Sequence, residues 1–255
     1  MTAAGDAAGQ RRQGVGRDPR GVFAGRDIQP AGDLVQLTAP FRPLDQRAVP
    51  VEVEAHFADG RSVRGITLIV DENPSPVAAQ FDFGGTREHV HVATKLRLNA
   101  GTDVRGHHRS LRRAALHGRA VRALCRRAGG VLGATVRQPG GDRGDDGQDE
   151  PRGAVEAGCC DADRAARTAQ IMHPNHTGMV LDQLTLLYVP LRIITELEVM
   201  QGEERVFAMK GSMTMAQDPV IDFDYRSKRA TALHIEARDS GGASWARDFP
   251  IGQGS

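Results

Sequence analysis

Histidines are the first candidates for chemistry in this 255-residue sequence. Six of the nine fall into three close pairs: His89 and His91, His107 and His108, and His173 and His176. In a strand, residues two apart face the same side of a sheet, so His89 and His91 could present two imidazoles to one metal ion. The sequence places no carboxylate at ligand spacing beside them and contains no His-Glu-x-x-His motif. We therefore interpret them as surface or turn histidines and predict no metal site.

Cysteines are the second candidates, and there are three: Cys125, Cys159 and Cys160. The count is odd, and adjacent cysteines such as Cys159 and Cys160 rarely bridge each other. The sequence therefore indicates neither a disulfide framework nor a four-thiolate zinc site. Cysteine, histidine and acid never fall together at a spacing that nucleophilic catalysis requires. The sequence also lacks a phosphate loop, a dinucleotide fingerprint and a nucleophile elbow. We predict no catalytic residues, no cofactor-binding residues and no enzymatic activity.

Charge excludes several further classes of protein. Seven arginines lie between Arg109 and Arg127, but no aromatic residue is interleaved with them, which argues against nucleic-acid binding. The acidic tract Asp142 to Glu150 does not have the alternating ligands of a calcium loop. With 33 Lys+Arg and 32 Asp+Glu the net charge is +1, so no strong field attracts nucleic acid or lipid. No apolar run reaches the roughly 18 residues of a membrane span, and Met1 to Gly25 shows no secretory signal.

The elements that must position these residues are short β-strands. Val49, Val51 and Val53 alternate with polar residues, the period-2 pattern of a half-buried strand, and Ala58-Asp59-Gly60 is a hairpin turn signal. Further strands are predicted at Val63–Val70, Val77–Phe83 and Glu88–Leu98. After Thr168 the pattern resumes, with a turn predicted at Gln201-Gly202-Glu203 and strands at Arg192–Val199, Val206–Thr214, Val220–Tyr225, Ala232–Ala237 and Ala243–Phe249. Strands of this length and spacing indicate β-sandwiches.

Composition divides the chain into four pieces. We predict a disordered leader (1–26), a β-sandwich (27–105), a long linking segment (106–167) and a second β-sandwich (168–255). The linking segment contains no Phe, Tyr, Trp, Ile, Met, Lys or Asn, and it holds all three cysteines. A segment so poor in large apolar side chains cannot offset its ordering entropy, so we expect it to be largely disordered.

Several motifs resemble those of SoxYZ-like carrier proteins, in particular the fused form associated with quinoprotein dehydrogenases. In the first sandwich these are Val35 to Pro43 with Asp45, Val49-Pro50-Val51, Asp71 to Pro76 with Phe81, Leu96 to Ala100, and Thr102 to Arg105. In the second they are His173 to Met179, Asp182-Gln183-Leu184 and Leu187 to Pro190. The resemblance covers about two-thirds of the chain.

The resemblance implies an all-β protein of two immunoglobulin-like sandwiches, SoxY-like and SoxZ-like, that pack on each other. It also implies a periplasmic, non-enzymatic carrier that works with a quinoprotein dehydrogenase and c-type cytochromes in sulfur oxidation. Members of this family carry cargo on one cysteine of a glycine-rich arm, and that arm is expected within 106–167. A thiolate on flexible glycines is a good sulfur acceptor that can move between partner enzymes.

The expected Gly-Gly-Cys motif does not occur in 106–167. Shifting the reading frame by one base permits a run over Gly129 to Pro151 that contains Gly-Gly-Cys-Ser. We therefore hypothesise that the coding frame slips near Arg105 and recovers near Thr168, which would impair the carrier. The alternative is a structural interaction module in which a natural disordered linker joins two sandwiches.

Overall fold

A computed structural model of the chain describes residues 28–30, 35–57, 62–112, 115–125, 153–159, 164–226 and 230–251. Its regular structure over these ranges is entirely β, in two sheets. The described residues include no helix long and apolar enough to cross a membrane. The predicted all-β class with two β-sandwich domains is confirmed. The predicted leader (1–26) and the turn Ala58-Asp59-Gly60 lie outside the described residues.

Nine strands form the larger sheet. In spatial order they are β1 (Ile28–Pro30), β8 (Ala115–Cys125), β7 (Thr102–Arg112), β4 (Ser62–Val70), β5 (Val77–Arg87), β12 (Glu204–Gly211), β11 (Ile194–Gln201), β14 (Ala232–Asp239) and β15 (Ser244–Pro250). Six strands form the smaller sheet, in the order β2 (Val35–Thr38), β3 (Val49–His56), β6 (His89–Leu96), β13 (Val220–Arg226), β10 (Arg164–Ile171) and β9 (Gly153–Cys159). We call β1–β8 the N-terminal sandwich and β9–β15 the C-terminal sandwich.

Alternation of side chains forms the core between the two sheets. Along β3 every second residue from Val49 to Ala55 is buried and the residues between are exposed, as predicted from the period-2 pattern. Strands β11 and β12 pair across the predicted turn, where Gly202 adopts a left-handed φ of 63°. The buried apolar residues of both sandwiches form one continuous cluster. The two domains therefore share a core.

Both sheets run without interruption from one sandwich into the other. Antiparallel pairing of β5 with β12 joins the larger sheet, with Phe81 opposite Met209 and Phe83 opposite Phe207. Pairing of β6 with β13 joins the smaller sheet. We call these two ladders the seam. The Phe207 ring lies 5.8 Å from the Phe81 ring and 5.0 Å from the Phe223 ring, so the aromatic core crosses the seam as well.

Polar side chains join one end of the seam. The Thr214 hydroxyl donates to the Ser75 carbonyl over 2.7 Å, and the Arg97 amide donates to the Thr214 carbonyl over 2.7 Å. The Arg97 guanidinium donates to the carbonyl of Asn175, which is fully buried. The Asn175 side chain in turn donates to the Ala216 carbonyl and accepts from the Ile194 amide. These bonds satisfy backbone groups that the junction would otherwise bury without partners.

Two expectations differ from the structure. Strand β3 does not form a hairpin with β4: β3 pairs with β2 and β6, whereas β4 pairs with β5 and β7 in the other sheet. A glycine turn between two alternating segments fits a crossing between the sheets of a sandwich as well as a hairpin. The local sequence signal is the same in both arrangements, so it could not distinguish a hairpin from a crossing between the sheets.

The second difference concerns residues 106–167. The predicted disorder does not extend over 106–112, 115–125, 153–159 and 164–167, which lie in β7 to β10, and residues 126–152 and 160–163 lie outside the described ranges. Strand β7 pairs with β4 along most of its length, and backbone ladders need no large side chains. A β-carbon on Gly106 would lie at an ordinary contact distance of 3.6 Å from Leu37, so β7 packs directly against the apolar side chains of the opposite sheet here.

Gly84 permits the close approach of the two sandwiches at the other end of the seam. A β-carbon on Gly84 would overlap the carbonyl oxygen of Arg205, whereas one on Gly85 would meet nothing within 4 Å. Because the obstructing atom belongs to the β12 backbone, it cannot move aside without separating the strands. This glycine is therefore needed for its small size.

We predict that Gly84→Ala lowers the free energy of unfolding by about 1–3 kcal/mol, because the added methyl group forces β12 away from β5. Gly85→Ala is the matched control and should change stability by less than about 1 kcal/mol. Urea denaturation of the three proteins measures the difference. Equal stability of the two variants would contradict the close approach at the seam.

Candidate functional site

A pocket of about 270 Å³ opens at the seam, at the end where Gly84 meets β12. We call it the seam pocket. Its lining comes from both sandwiches: His56, Gly85, Thr86, Arg87, Glu88 and His89 from the first, and Gln201, Glu204, Arg205, Val206, Asp224, Tyr225 and Arg226 from the second. Neither sandwich forms this pocket without the other.

Arg87 connects the two walls of the seam pocket. Its guanidinium donates to the carbonyl oxygens of Val206 at 2.8 Å and Asp224 at 3.1 Å, both in the C-terminal sandwich. Its Cζ lies 5.3 Å from the centre of the Phe83 ring. Burial lowers the pKa of Arg87, and the charges of Asp224 and Glu204 oppose that shift. The side chain remains a cation because a guanidinium stays protonated throughout the physiological range.

Asp224 accepts hydrogen bonds from the N-terminal sandwich. One oxygen accepts from the His91 amide over 2.7 Å, and the other lies 3.1 Å from Nδ1 of His89. Nε2 of His89 is 3.5 Å from Glu54, so this imidazole lies between two carboxylates. Glu52 contacts Nε2 of His91 at 2.8 Å. The Asp224 carboxylate of the C-terminal sandwich is thus held by groups of the N-terminal sandwich.

The sequence alone did not reveal the carboxylates beside His89 and His91, because strand pairing brings them there. His89 and His91 do share a face of β6, as predicted. Their carboxylate neighbours come from β3, where Glu54 lies opposite His91, and from β13, more than 130 residues along the chain. Among the described residues, no group of three or more His, Cys, Asp or Glu side chains could hold a metal ion.

The other histidine pairs lie away from the seam pocket. His107 and His108 are adjacent on β7 and both are buried, with His108 5.6 Å from the Phe57 ring. Nδ1 of the buried His173 accepts from the Asn175 amide, and Nε2 of His173 is 3.6 Å from Asp239. Burial lowers the pKa of His173 and of His176. Three of these four histidines are fully buried in the sandwiches, so interpreting all of them as surface or turn residues was wrong.

Two of the three cysteines end strands that belong to different sheets. Cys125 ends β8 in the larger sheet and Cys159 ends β9 in the smaller sheet, while Cys160 lies outside the described residues. Within the arginine run, Arg109 forms an ion pair of 2.5 Å with Asp82 of β5. The acidic tract Asp142 to Glu150 falls in an undescribed range.

The seam pocket is polar and balanced in charge. Its lining contains three arginines and three carboxylates, together with two imidazoles. Tyr225 contributes a phenol that is buried and forms no hydrogen bond within the described part of the chain, and burial raises the pKa of this phenol. These groups can hydrogen-bond a small polar molecule. Fold and site together define a two-domain β-sandwich protein with a shared polar pocket.

Comparison with known proteins identifies the two domains. Residues 20–130 match the family model of "Sulfur oxidation protein SoxY", and residues 161–250 match that of "Sulphur oxidation protein SoxZ". The two matches together span well over half of the chain, and the chain belongs to the SoxYZ-like proteins, with a SoxY domain followed by a SoxZ domain.

No curated protein matches the chain. The solved structure of the sulfur carrier protein SoxY from Chlorobium limicola f thiosulfatophilum is similar at 19% identity and a TM-score of 0.36. That match covers 42% of this chain and 86% of the SoxY chain.

We predict that His107 makes the fold sensitive to acid. Burial and, to a lesser extent, the charge of Arg105 lower the pKa of His107 to about 4, whereas in the unfolded chain it is about 6.5. The unfolded state therefore binds the proton more readily, and stability falls as the pH drops from 6.5 to 4. The loss reaches about 3 kcal/mol at pH 4.

Urea titrations at several pH values measure this loss. His107→Asn should remove most of it, so the slope of stability against pH becomes shallower between pH 6.5 and 4. His234→Asn is the control, because His234 is exposed and its ring pairs with the exposed Asp248. An unchanged slope in His107→Asn would contradict the assignment.

Proposed function

We propose that this SoxYZ-like protein is a non-enzymatic carrier or binding protein of a sulfur-oxidation system. The observation that carries the proposal is the tandem match to SoxY and SoxZ, in two sandwiches that share both sheets and both line the seam pocket. Membership of this family implies a carrier or binding role rather than an enzymatic one. A protein of this kind presents cargo to partner enzymes, so it needs a rigid body and an accessible attachment point.

The finer assignment rests on the motifs. The stretches Val35 to Pro43 and His173 to Met179 resemble the fused form of the family, and we propose a quinoprotein dehydrogenase and c-type cytochromes as partners and the periplasm as the location. Within the SoxZ domain, Asn175 of this motif is fully buried and bonds the Ile194 amide and the Ala216 carbonyl. Asn175 of this motif therefore has a structural role in the SoxZ domain.

We further propose that the carrier is impaired as written, because no Gly-Gly-Cys occurs within 106–167. A carrier thiolate must be exposed, and glycines must allow it to reach more than one active site. Cys125 stands between Leu124 and Arg126, and Cys159 and Cys160 follow a single glycine. A slipped reading frame between Arg105 and Thr168 would account for both the missing motif and the abrupt change in composition.

One observation favours the alternative, a structural interaction module with a natural linking segment. Strands β7 to β10 occupy parts of 106–167, and β7 pairs with β4 over residues that include His107 and Arg109. If that segment is natural, the two sandwiches serve to dock partners without a covalent cargo. Loading the thiol distinguishes the two functions.

We predict that the frame-restored protein, made from a gene shifted by one base across 106–167, takes one adduct per chain from tetrathionate. A thiolate attacks tetrathionate, thiosulfate leaves, and an S-thiosulfonate remains on the cysteine. The protein with the present sequence should carry, on average, less than one adduct per chain. Intact-protein mass spectrometry counts the adducts, and the restored protein with its arm cysteine changed to serine is the control. Absence of adducts from both proteins would favour the interaction module.

The gene tests the reading frame itself. We predict that the shifted frame between the codons of Arg105 and Thr168 is open and encodes Gly-Gly-Cys. Nucleotide sequencing of this region gives the answer without any protein. A stop codon in the shifted frame, or a frame that lacks the motif, would refute the frameshift and leave the linking segment as natural sequence.

A further inference from the structure

A loop of the SoxZ domain exposes an unusual amount of apolar surface. Within the described range 164–226, residues 179 to 191 include eight exposed large apolar side chains. Leu184 is 92% exposed, Leu186 71%, and Leu187 and Tyr188 68% each. We call residues 179–191 the apolar loop. Single exposed apolar residues need no explanation, but a contiguous group of this size marks a contact surface.

Internal hydrogen bonds fix the conformation of the apolar loop. The Asp182 amide donates to the Leu187 carbonyl over 2.9 Å, and the Val189 amide donates to the Val180 carbonyl over 2.8 Å. The Asp182 carboxylate accepts from the amides of Leu184 and Thr185. The loop is thus a closed hairpin that holds its apolar side chains outward.

The base of the apolar loop is anchored to the C-terminal sandwich. The Arg192 amide donates to the His176 carbonyl over 3.0 Å, and Nε of Arg192 donates to the buried Asp239 at 2.8 Å. Gly178 adopts a φ of 76° where the chain enters the loop. A rigid attachment loses little entropy on association, so the loop is prepared for contact.

The exposed area matches one side of a protein interface. The eight side chains expose on the order of 900 Å², whereas the largest apolar patch of a typical monomer is about 300–600 Å². A standard interface buries about 800 Å² on each partner. Two copies of the apolar loop, packed against each other, could therefore bury enough surface for a stable dimer.

Charge and composition favour a second copy as the occupant. Asp182 is the one charged residue in the loop, and two amides of the same loop already bind its carboxylate. The surface therefore offers no charge pattern to a partner of opposite sign, and two copies would meet without strong repulsion. Uncharged apolar interfaces are typical of permanent homodimers.

The long ranges outside the described structure are poor in large apolar residues. Residues 1–27 and 126–152, the two longest ranges outside the described structure, are rich in Gly, Ala and Arg and contain few large apolar residues. Their composition cannot supply some 900 Å² of apolar contact to the loop.

We infer that the apolar loop is a homodimer interface, in which the loops of two chains pack against each other about a two-fold axis. Leu184 and Leu187 of each protomer contact the apolar loop of its partner. Such an isologous contact closes on itself, so association stops at the dimer. The interface lies in the SoxZ domain and requires neither the thiol nor the seam pocket.

Sedimentation equilibrium of the full-length protein tests the inference. The wild-type chain should be a dimer at about 100 µM, and Leu184→Glu and Leu187→Glu should each raise the dimer dissociation constant at least about 30-fold, because each buries a charge at the centre of the interface. Leu44→Glu is the matched control: Leu44 is fully exposed on the SoxY domain, and this change should leave the dimer intact. Far-UV circular dichroism and thermal melting establish that each variant is folded.

Two results would overturn the inference. One is a wild-type protein that remains monomeric at about 100 µM. Binding of a different protein to the apolar loop would not restore the inference in that case. The other is a dimer that persists unchanged in folded Leu184→Glu and Leu187→Glu. Since side chains this exposed contribute little to folding, loss of the dimer in the two variants cannot be ascribed to unfolding when their melting temperatures match that of wild type.

Discussion

Backbone pairing at the seam is the interaction on which the rest of this structure depends. Two ladders, β5 with β12 and β6 with β13, turn two sandwiches into one pair of continuous sheets. The shared aromatic core, the bonds of Asn175 and the walls of the seam pocket all require those ladders to be in register. Gly84 allows the β12 backbone to come close, and Arg87 then reaches two carbonyls of the other domain. SoxY and SoxZ domains in this chain thus form one structural unit.

The pocket shows how burial converts an ordinary set of charges into a fixed arrangement. Asp224 is nearly inaccessible, and a buried carboxylate needs partners to offset the loss of water. It obtains them from the His91 amide and the His89 ring, both across the seam. Pairing of charges inside the protein leaves the lining close to neutral overall, which suits a polar molecule better than a highly charged one. The proposed carrier function assigns the attachment of cargo to the cysteine-bearing part of the chain.

Local pattern predicted most of the strands and few of their partners. The alternation at Val49 to Ala55 and the glycine at position 202 specify β3 and the β11–β12 hairpin, because side-chain period and left-handed turns are local properties. The same local signals could not distinguish a β3–β4 hairpin from a crossing between sheets. Asp224 could not be assigned to His89 because their contact depends on the pairing of β6 with β13. Composition suggested disorder after Arg105, but the ladder between β4 and β7 holds part of that segment through backbone groups, which composition does not describe.

The seam also determines what happens when only half of the protein is present. Removing the SoxZ domain would uncover β5 and β6 together, and removing the SoxY domain would uncover β12 and β13. Each isolated half would carry two newly opened strand edges, one in each sheet, beside a split aromatic core. Unpaired edges of this kind recruit strands from other chains, so either fragment is prone to aggregate. Fusion in one polypeptide supplies the missing partner strands at high local concentration during folding.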